Sequence, residues 1–186
     1  MRDIKKITKE KDEVNKHENG GIIGFSSRCF AIGKIHVAGN RRGITDISIG
    51  GDKQGFLRRL RERHGHRAII EKADYRAVFK MLDEYFKGKR TRFDLRVNLI
   101  GRPFDVSIWK ALIKIPYGRA VSYEDAARMS GHLGAQRAVG SACGRNPVSI
   151  IVPCHRVIRK DKGLGGYTGG LEIKKTLLEL EGNMET

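Results

Sequence analysis

The chain has 186 residues, enough for one generous domain or two small ones, and enough to bury an apolar core without disulfide or metal staples. Its three cysteines, Cys29, Cys143 and Cys154, are odd in number and widely spaced, which argues against a disulfide framework and for a reducing compartment. A formal net charge of +16 points to a polyanionic partner, because Lys and Arg that neutralise phosphates release condensed counterions, while the opening MRDIKKITKEKDEVNKHE lacks the apolar run of a signal peptide and no later segment approaches a membrane span.

Residues 1 to 20 read as a flexible charged arm. From Ile22 to Ile49, short runs rich in Ile, Val, Phe and Thr are punctuated by Gly24, Gly33, Gly39-Asn40 and Gly43, which predicts a small antiparallel sheet. Lys53 to His64 reads as a short basic helix burying Phe56, Leu57 and Leu60, with Ala68-Ile69-Ile70 returning as a strand. A clearer helix follows: Asp74 can cap it, Val78, Met81, Leu82, Tyr85 and Phe86 form a core stripe, and Lys87-Gly88 suits its end. Residues 1 to 100 hold 24 basic and 13 acidic residues, and a solvated surface accounts for most of that excess.

Gly101-Arg102-Pro103 is a plausible boundary between two subdomains. Beyond it, Asp105 is expected to cap a helix with Val106, Trp109, Leu112 and Ile113 on one face, closed by Pro116-Tyr117-Gly118. Ser122 with Asp125 makes a capping box for a helix through Met129. Gly131-His132-Leu133-Gly134 breaks it, and Ala135 to Gly144 forms a second helix, so the pair is a helix-turn-helix candidate. That second helix is nearly all small residues, with Gln136, Arg137 and Arg145 its long polar side chains; such a face suits close approach to DNA or tight helix packing.

The densest chemical signal is Ile150-Ile151-Val152-Pro153-Cys154-His155-Arg156-Val157-Ile158, read as a buried strand that ends in a thiol, an imidazole and a guanidinium. A free thiol is only about 3% thiolate at neutral pH, so a nucleophilic role needs a base or a positive field, which His155 and Arg156 can supply. Neighbours on a strand point to opposite sides, so direct Cys154 to His155 contact would require a turn or a bridging water. An inert core cysteine is the plainer reading. Cys143, Cys154 and His155 lack the paired spacings of a structural zinc site, and a papain-type hydrolase would want a distant His and an orienting Asn or Asp.

Pro153-Cys154-His155-Arg156-Val157, preceded by Gly144-Arg145-Asn146-Pro147-Val148, resembles the signature of the methylated-DNA–protein-cysteine methyltransferases, also called O6-alkylguanine-DNA alkyltransferases. Val121-Ser122-Tyr123, Arg137-Ala138-Val139-Gly140, Gly166-Tyr167-Thr168-Gly169-Gly170 and Leu177 through Glu181-Gly182 match in order and spacing, so the resemblance covers roughly residues 101 to 182. It implies an α/β plus α architecture, with an N-terminal ribonuclease H-like α/β domain over residues 21–98 and a C-terminal winged-helix-like DNA-binding domain over 99–186.

By the same resemblance, Cys154 accepts the alkyl group of O6-alkylguanine once and irreversibly, with O4-methylthymine a further candidate substrate. His155, through a bound water, and Glu181 form the relay that lowers the thiol pKa. Tyr123 protonates the leaving guanine and rotates the target's 3′ phosphate, while Arg137 fills the space the extruded base leaves. Ala135, Gln136, Ala138, Gly140 and Ser141 line the DNA-binding helix, Asn146 braces the turn behind it, and Tyr167, Thr168 and Gly169 wall the guanine pocket. Without the resemblance, Glu181 reads as a helix-end charge, Tyr123 and Arg137 as ordinary surface or helix residues, and Asn146 as part of a tight turn. No cofactor and no metal are implied: relatives with a structural zinc carry several N-terminal Cys and His ligands, and Cys29 stands alone there. The expected partner is double-stranded DNA entered through the minor groove, with little sequence preference, by a monomer in the cytoplasm, or in the nucleus of a eukaryote.

Overall fold

The computed structural model describes residues 21–65 and 69–183; the expected arm at 1–20, and Ala68 of the expected returning strand, lie outside the described residues. The glycine-punctuated stretch forms strands β1 (Ile23–Phe30), β2 (Gly33–Asn40) and β3 (Gly43–Ile49), an antiparallel meander. A short β4 (Ile69–Glu71) adds in parallel beside β1, giving the order β3-β2-β1-β4. The pleat sorts the two faces. Ile23, Phe25 and Ala38 point to one side and are covered by Phe56 and Leu60 of helix α1 (Lys53–His64). Leu57 is only partly buried at the edge of that cluster.

Ile35, Val37, Ile47 and Ile49 point to the other side, against Val78, Phe79, Leu82 and Tyr85 of helix α2 (Arg76–Phe86). Asp74 does not cap α2. The N-cap is Tyr75, whose hydroxyl donates to the Gly24 carbonyl (2.9 Å) and so ties that residue to β1 rather than to the helix. Asp74 instead accepts from the Arg76 amide and guanidinium just outside the first turn.

Helix α3 (Pro103–Leu112) also starts earlier than expected. Arg102 is the N-cap and Pro103 takes the first helical position, where a missing amide costs nothing. Asp105 lies inside the first turn, 2% exposed, drawn in by ion pairs to Arg102 and Arg145. The buried face is Ile108, Trp109, Ala111 and Leu112; Val106 is only partly buried and Ile113 is 43% exposed. Helix α4 (Tyr123–Met129) has the expected capping box, with the Asp125 amide donating to Ser122 Oγ (3.0 Å). Helix α5 (Gln136–Gly144) follows after the glycine turn, and helix α6 (Leu171–Leu180) closes the described fold.

Two features were not foreseen. A short parallel pair, β5 (Val121–Ser122) with β6 (Val157–Ile158), brackets the chemical cluster and sets the start of α4 beside it. The free edge of β3 is covered at both ends by backbone from elsewhere. Ile44 exchanges hydrogen bonds with Arg96 and Asn98, and Ile47 with Pro147 and Ser149. Gly43 is required at the first of these contacts, because its φ is 136° and the Arg96 carbonyl passes where a Cβ would sit. The sheet therefore carries the segment that leads into Cys154, and one core cluster draws on α2, α3, α5, α6 and both ends of that segment.

Candidate active site

The β-branched run before Cys154 is not a strand. Ile150 takes a φ of 73°, Ile151 N bonds back to Ser149 O and Val152 N to Val148 O, so the chain turns tightly on itself. Pro153 then closes an inverse γ-turn, with Cys154 N donating to Val152 O (2.8 Å), and Cys154–Arg156 forms a single 3-10 turn. Hydrophobic content predicted burial correctly, but the bonds that would have extended a strand are spent inside the turns and on Ile47. In a 3-10 turn successive side chains point about 120° apart. Cys154 thus diverges from His155 and points to Asn146, while the long Arg156 side chain meets the same Glu181 carboxylate as His155.

Asn146, expected to brace this turn, bonds to both sides of it. Its Oδ1 accepts from the Val148 amide (3.0 Å), and its Nδ2 donates to Val152 O (2.8 Å) and to Cys154 Sγ (3.1 Å). The thiol is 5% exposed. Burial pushes its pKa up, and the Asn146 hydrogen bond and the Lys174 charge pull it only part of the way back. The expectation of a lowered thiol pKa is corrected: apolar burial outweighs the partners, and the resting group is a neutral thiol.

His155 and Glu181 are both fully buried, with Nε2 to Oε1 at 3.0 Å. Arg156 grips the same carboxylate through Nε (2.7 Å) and Nη2 (2.8 Å), and gives Nη1 to Ile115 O (2.6 Å). Burial alone would raise the Glu181 carboxyl, but hydrogen bonds from His155 and Arg156 prevail and hold it down at about 2. An ionised carboxylate only accepts, so the proton between Oε1 and Nε2 belongs to the imidazole, and Nδ1 carries the lone pair. That Nδ1 is buried with no partner among the described residues, and burial lowers the imidazole pKa, so the ring stands as a neutral base.

Two members of the site were missed by sequence reasoning. Tyr85 of α2 donates its hydroxyl to Glu181 Oε1 (2.6 Å), and Lys174 of α6 donates to the carbonyls of Val157 (2.6 Å) and Leu164. Both are completely buried and both occupy positions in apolar helix stripes. For Tyr85 the available signal was a hydroxyl tip inside a stripe that reads as core packing; Lys174 carries no reading from the sequence.

Tyr123 opens α4 directly after β5. It is half-buried, with Gly140 of α5 beside its ring, Lys174 Nζ 6.0 Å from the ring centroid, and Gly165 against its hydroxyl. Burial raises its pKa, so the phenol keeps its proton at neutral pH. Helix α5 divides its small residues between a buried and an exposed side. Val139, Ala142 and Cys143 are buried against the core, with Trp109 Nε1 donating to Ala142 O (2.9 Å), while Arg137, Ala138 and Ser141 are exposed. Ala135 is its N-cap, and Ala135, Gln136 and Gly140 are partly covered.

The loop at Tyr167, Thr168 and Gly169 lies over the end of α5, where Thr168 Oγ1 donates to Gly144 O (2.9 Å). A cleft of about 230 Å³ runs between this loop, Asn146, Ser149 and Arg63 of α1. A hollow of about 780 Å³ between α4 and the turn after β6 does not include Cys154 in its wall. Volume does not locate the chemistry here; the thiol, base and carboxylate do.

Residues 28–99 match the ribonuclease-like domain of 6-O-methylguanine DNA methyltransferase, and residues 103–183 match its DNA-binding domain. A methylated-DNA–protein-cysteine methyltransferase of Methanosarcina barkeri is 42% identical over 153 residues, spanning 82% of this chain and 92% of that protein. Among solved structures, the Mycobacterium tuberculosis OGT in complex with DNA superposes with a TM-score of 0.74 at 38% identity, covering 86% of this chain and 92% of the other. The O6-methylguanine-DNA methyltransferase of Pyrococcus kodakaraensis gives 0.67 at 27% identity, covering 85% and 99%. Adjoining matches to both of that enzyme's domains, with a relative this similar over nearly its whole length, make the chain a member of the methylated-DNA–protein-cysteine methyltransferase family.

Proposed function

We propose that this protein repairs DNA by direct reversal, moving the alkyl group of O6-alkylguanine onto Cys154 Sγ once per molecule. The observation that carries this reading is the thiol fixed by Asn146, next in the chain to an imidazole whose Nε2 is engaged by Glu181, leaving the lone pair on Nδ1.

Duplex DNA lies along α5, whose exposed small residues let the backbone approach the minor groove, and Arg137 enters the stack where the damaged nucleotide turns out. Tyr123 supports the adjoining phosphate, and Tyr167, Thr168 and Gly169 receive the base. The thiol proton passes, through a water, to His155 Nδ1 as Sγ attacks the alkyl carbon; the carbon to O6 bond breaks and its electron pair stays with guanine. Tyr123 gives its phenolic proton to the purine, and the resulting phenolate recovers a proton from solvent. Lys174, held near the thiol by backbone carbonyls, favours the charge that develops on sulfur. The product thioether has no hydrolytic exit, so each molecule acts once. The same displacement extends in chemistry to O4-methylthymine. The protein works as a monomer in the reducing cytoplasm, where Cys154 stays a free thiol.

Intact mass measurement after incubation with tagged O6-benzylguanine, and with duplex carrying O6-methylguanine, tests the reading. The expected result is one adduct per protein, absent in Cys154→Ala, which still binds DNA. Repeated turnover, or an adduct that survives the Cys154→Ala change, would overturn it.

A further inference from the structure

Every member of the relay except one comes from the last third of the chain. Tyr85 belongs to α2, which packs on the sheet, yet its hydroxyl lies 2.6 Å from Glu181 Oε1. Its ring cannot swing away, because Phe86 (5.4 Å), Phe93 (5.3 Å) and Tyr117 (6.0 Å) surround it. The contact is aimed at the catalytic carboxylate itself: the same Oε1 receives His155 Nε2 and Arg156 Nη2, while Oε2 receives Arg156 Nε.

We propose that Tyr85 is a positioning residue for alkyl transfer, through which the N-terminal half holds the Glu181 carboxylate in register with His155. The proposal rests on the reading of Cys154 as alkyl acceptor and deepens it. Arg156 alone fixes the carboxylate along one edge; the phenol holds the oxygen that faces the imidazole. The phenol also shares the negative charge that Glu181 would otherwise direct wholly at His155. Around that imidazole stand Glu181, Arg156 from its own turn, Lys174 from α6 and Tyr85 from α2, with Tyr117 beyond Tyr85. Glu181 favours the protonated ring, Arg156 and Lys174 disfavour it, and Tyr85 weakens the hold of Glu181.

The sign of the effect follows. Without the hydroxyl, Glu181 acts more fully on His155, the ring keeps its proton to higher pH, and less of it is available as base. Single-turnover transfer from O6-methylguanine duplex, followed from pH 5 to pH 9, compares the parent with Tyr85→Phe and with 3-fluorotyrosine placed at position 85. Tyr85→Phe should move the acid limb upward and lower the plateau about tenfold, the scale of a lost hydrogen bond to a charged group. The fluorinated phenol is a stronger donor of the same shape, and should move the limb downward. DNA affinity, measured in a Cys154→Ala background, should change by less than about twofold in either case.

Tyr117→Phe removes a hydroxyl bonded to the Leu180 carbonyl rather than to the carboxylate, and should leave the limb in place. Profiles of the phenylalanine and fluorotyrosine proteins that superimpose on the parent, or that move in the same direction, would show Tyr85 to be packing only. A parent that forms no adduct at all would instead defeat the functional reading, so the two failures are distinct.

Discussion

Replacing Glu181 by Gln removes one charge from a site where three side chains depend on it. Its carboxyl is held at about 2 against 4.5 when unhindered, and its side chain is wholly buried, so at about 1.4 kcal/mol per pKa unit the carboxylate contributes about 3 kcal/mol to the folded state. An independent route agrees, because stranding a partner such as Arg156, with only 8% of its side chain exposed, typically costs about 3–5 kcal/mol. The pH window follows from the sign. A depressed carboxyl contributes fully above about 4.5, and its contribution drains away as pH falls through about 2. Urea unfolding of both proteins at pH 7, 5, 4 and 3 should give a stability gap of about 3 kcal/mol at neutrality that narrows steadily with acid. The melting midpoint at neutrality should fall by about 10 °C for a chain of this length. Other carboxylates titrate in both proteins and cancel in the difference. A gap below about 1 kcal/mol at pH 7, the ordinary range of a surface pair, or one of constant size down to pH 3, would refute the account of Glu181 as a buried, triply bonded anion.

On the proposed mechanism transfer needs neutral His155, whose pKa burial lowers, so single-turnover rates should hold their plateau below pH 6.5 and decline only in stronger acid; a decline centred above 6.5 would contradict that role. Gly165→Ala places a Cβ 2.6 Å from the Tyr123 hydroxyl at a φ of 66°, and should slow transfer about tenfold or more while DNA affinity changes less, measured as single-turnover rate against Kd. Arg137→Ala should slow repair of duplex at least about tenfold more than reaction with free O6-benzylguanine, since only the duplex has a stack to open. Iodoacetamide at neutral pH should label exposed Cys29 ahead of Cys143 and Cys154, read by peptide mass mapping, although the benzylguanine adduct forms at Cys154 alone.

Local chemistry was legible wherever a residue acts on its near neighbours. Ser122 and Asp125 announced the start of α4, Gly33 and Gly43 marked the turns into β2 and β3, and the apolar stripe located α2. Failures came where distant partners decide. Asp105 looked like a cap, but Arg145, forty positions later, draws it into the first turn. Ile150 to Val152 had the composition of a strand, and the chain turns there because β3 already holds its backbone through Ile47. Motif resemblance placed Cys154, His155, Glu181, Asn146 and Tyr123 together without any view of Lys174 or Tyr85. Those two contribute through backbone carbonyls and across the two halves, which no spacing in the sequence records.

A covered Cys154, with burial pushing its thiol pKa up, suits the single use proposed for it. A protein spent by one transfer gains nothing from a thiolate that reacts with every electrophile or oxidant it meets, and thiolate fraction with exposure sets both rates. Here the sulfur is kept covered and protonated, while the means of ionising it is kept ready: a neutral imidazole with its Nδ1 lone pair free, an anion behind it, and an ammonium near the sulfur. Proton loss is then coupled to the arrival of an electrophilic carbon, so the barrier falls for a base seated in the pocket and not for a small reagent in solution. The arrangement demands that the base, the carboxylate and the thiol keep their spacing through repeated encounters with undamaged DNA. Bonds from β3 to the segment before Cys154, and from α2 to Glu181, supply that rigidity from the half of the molecule that does not carry Cys154.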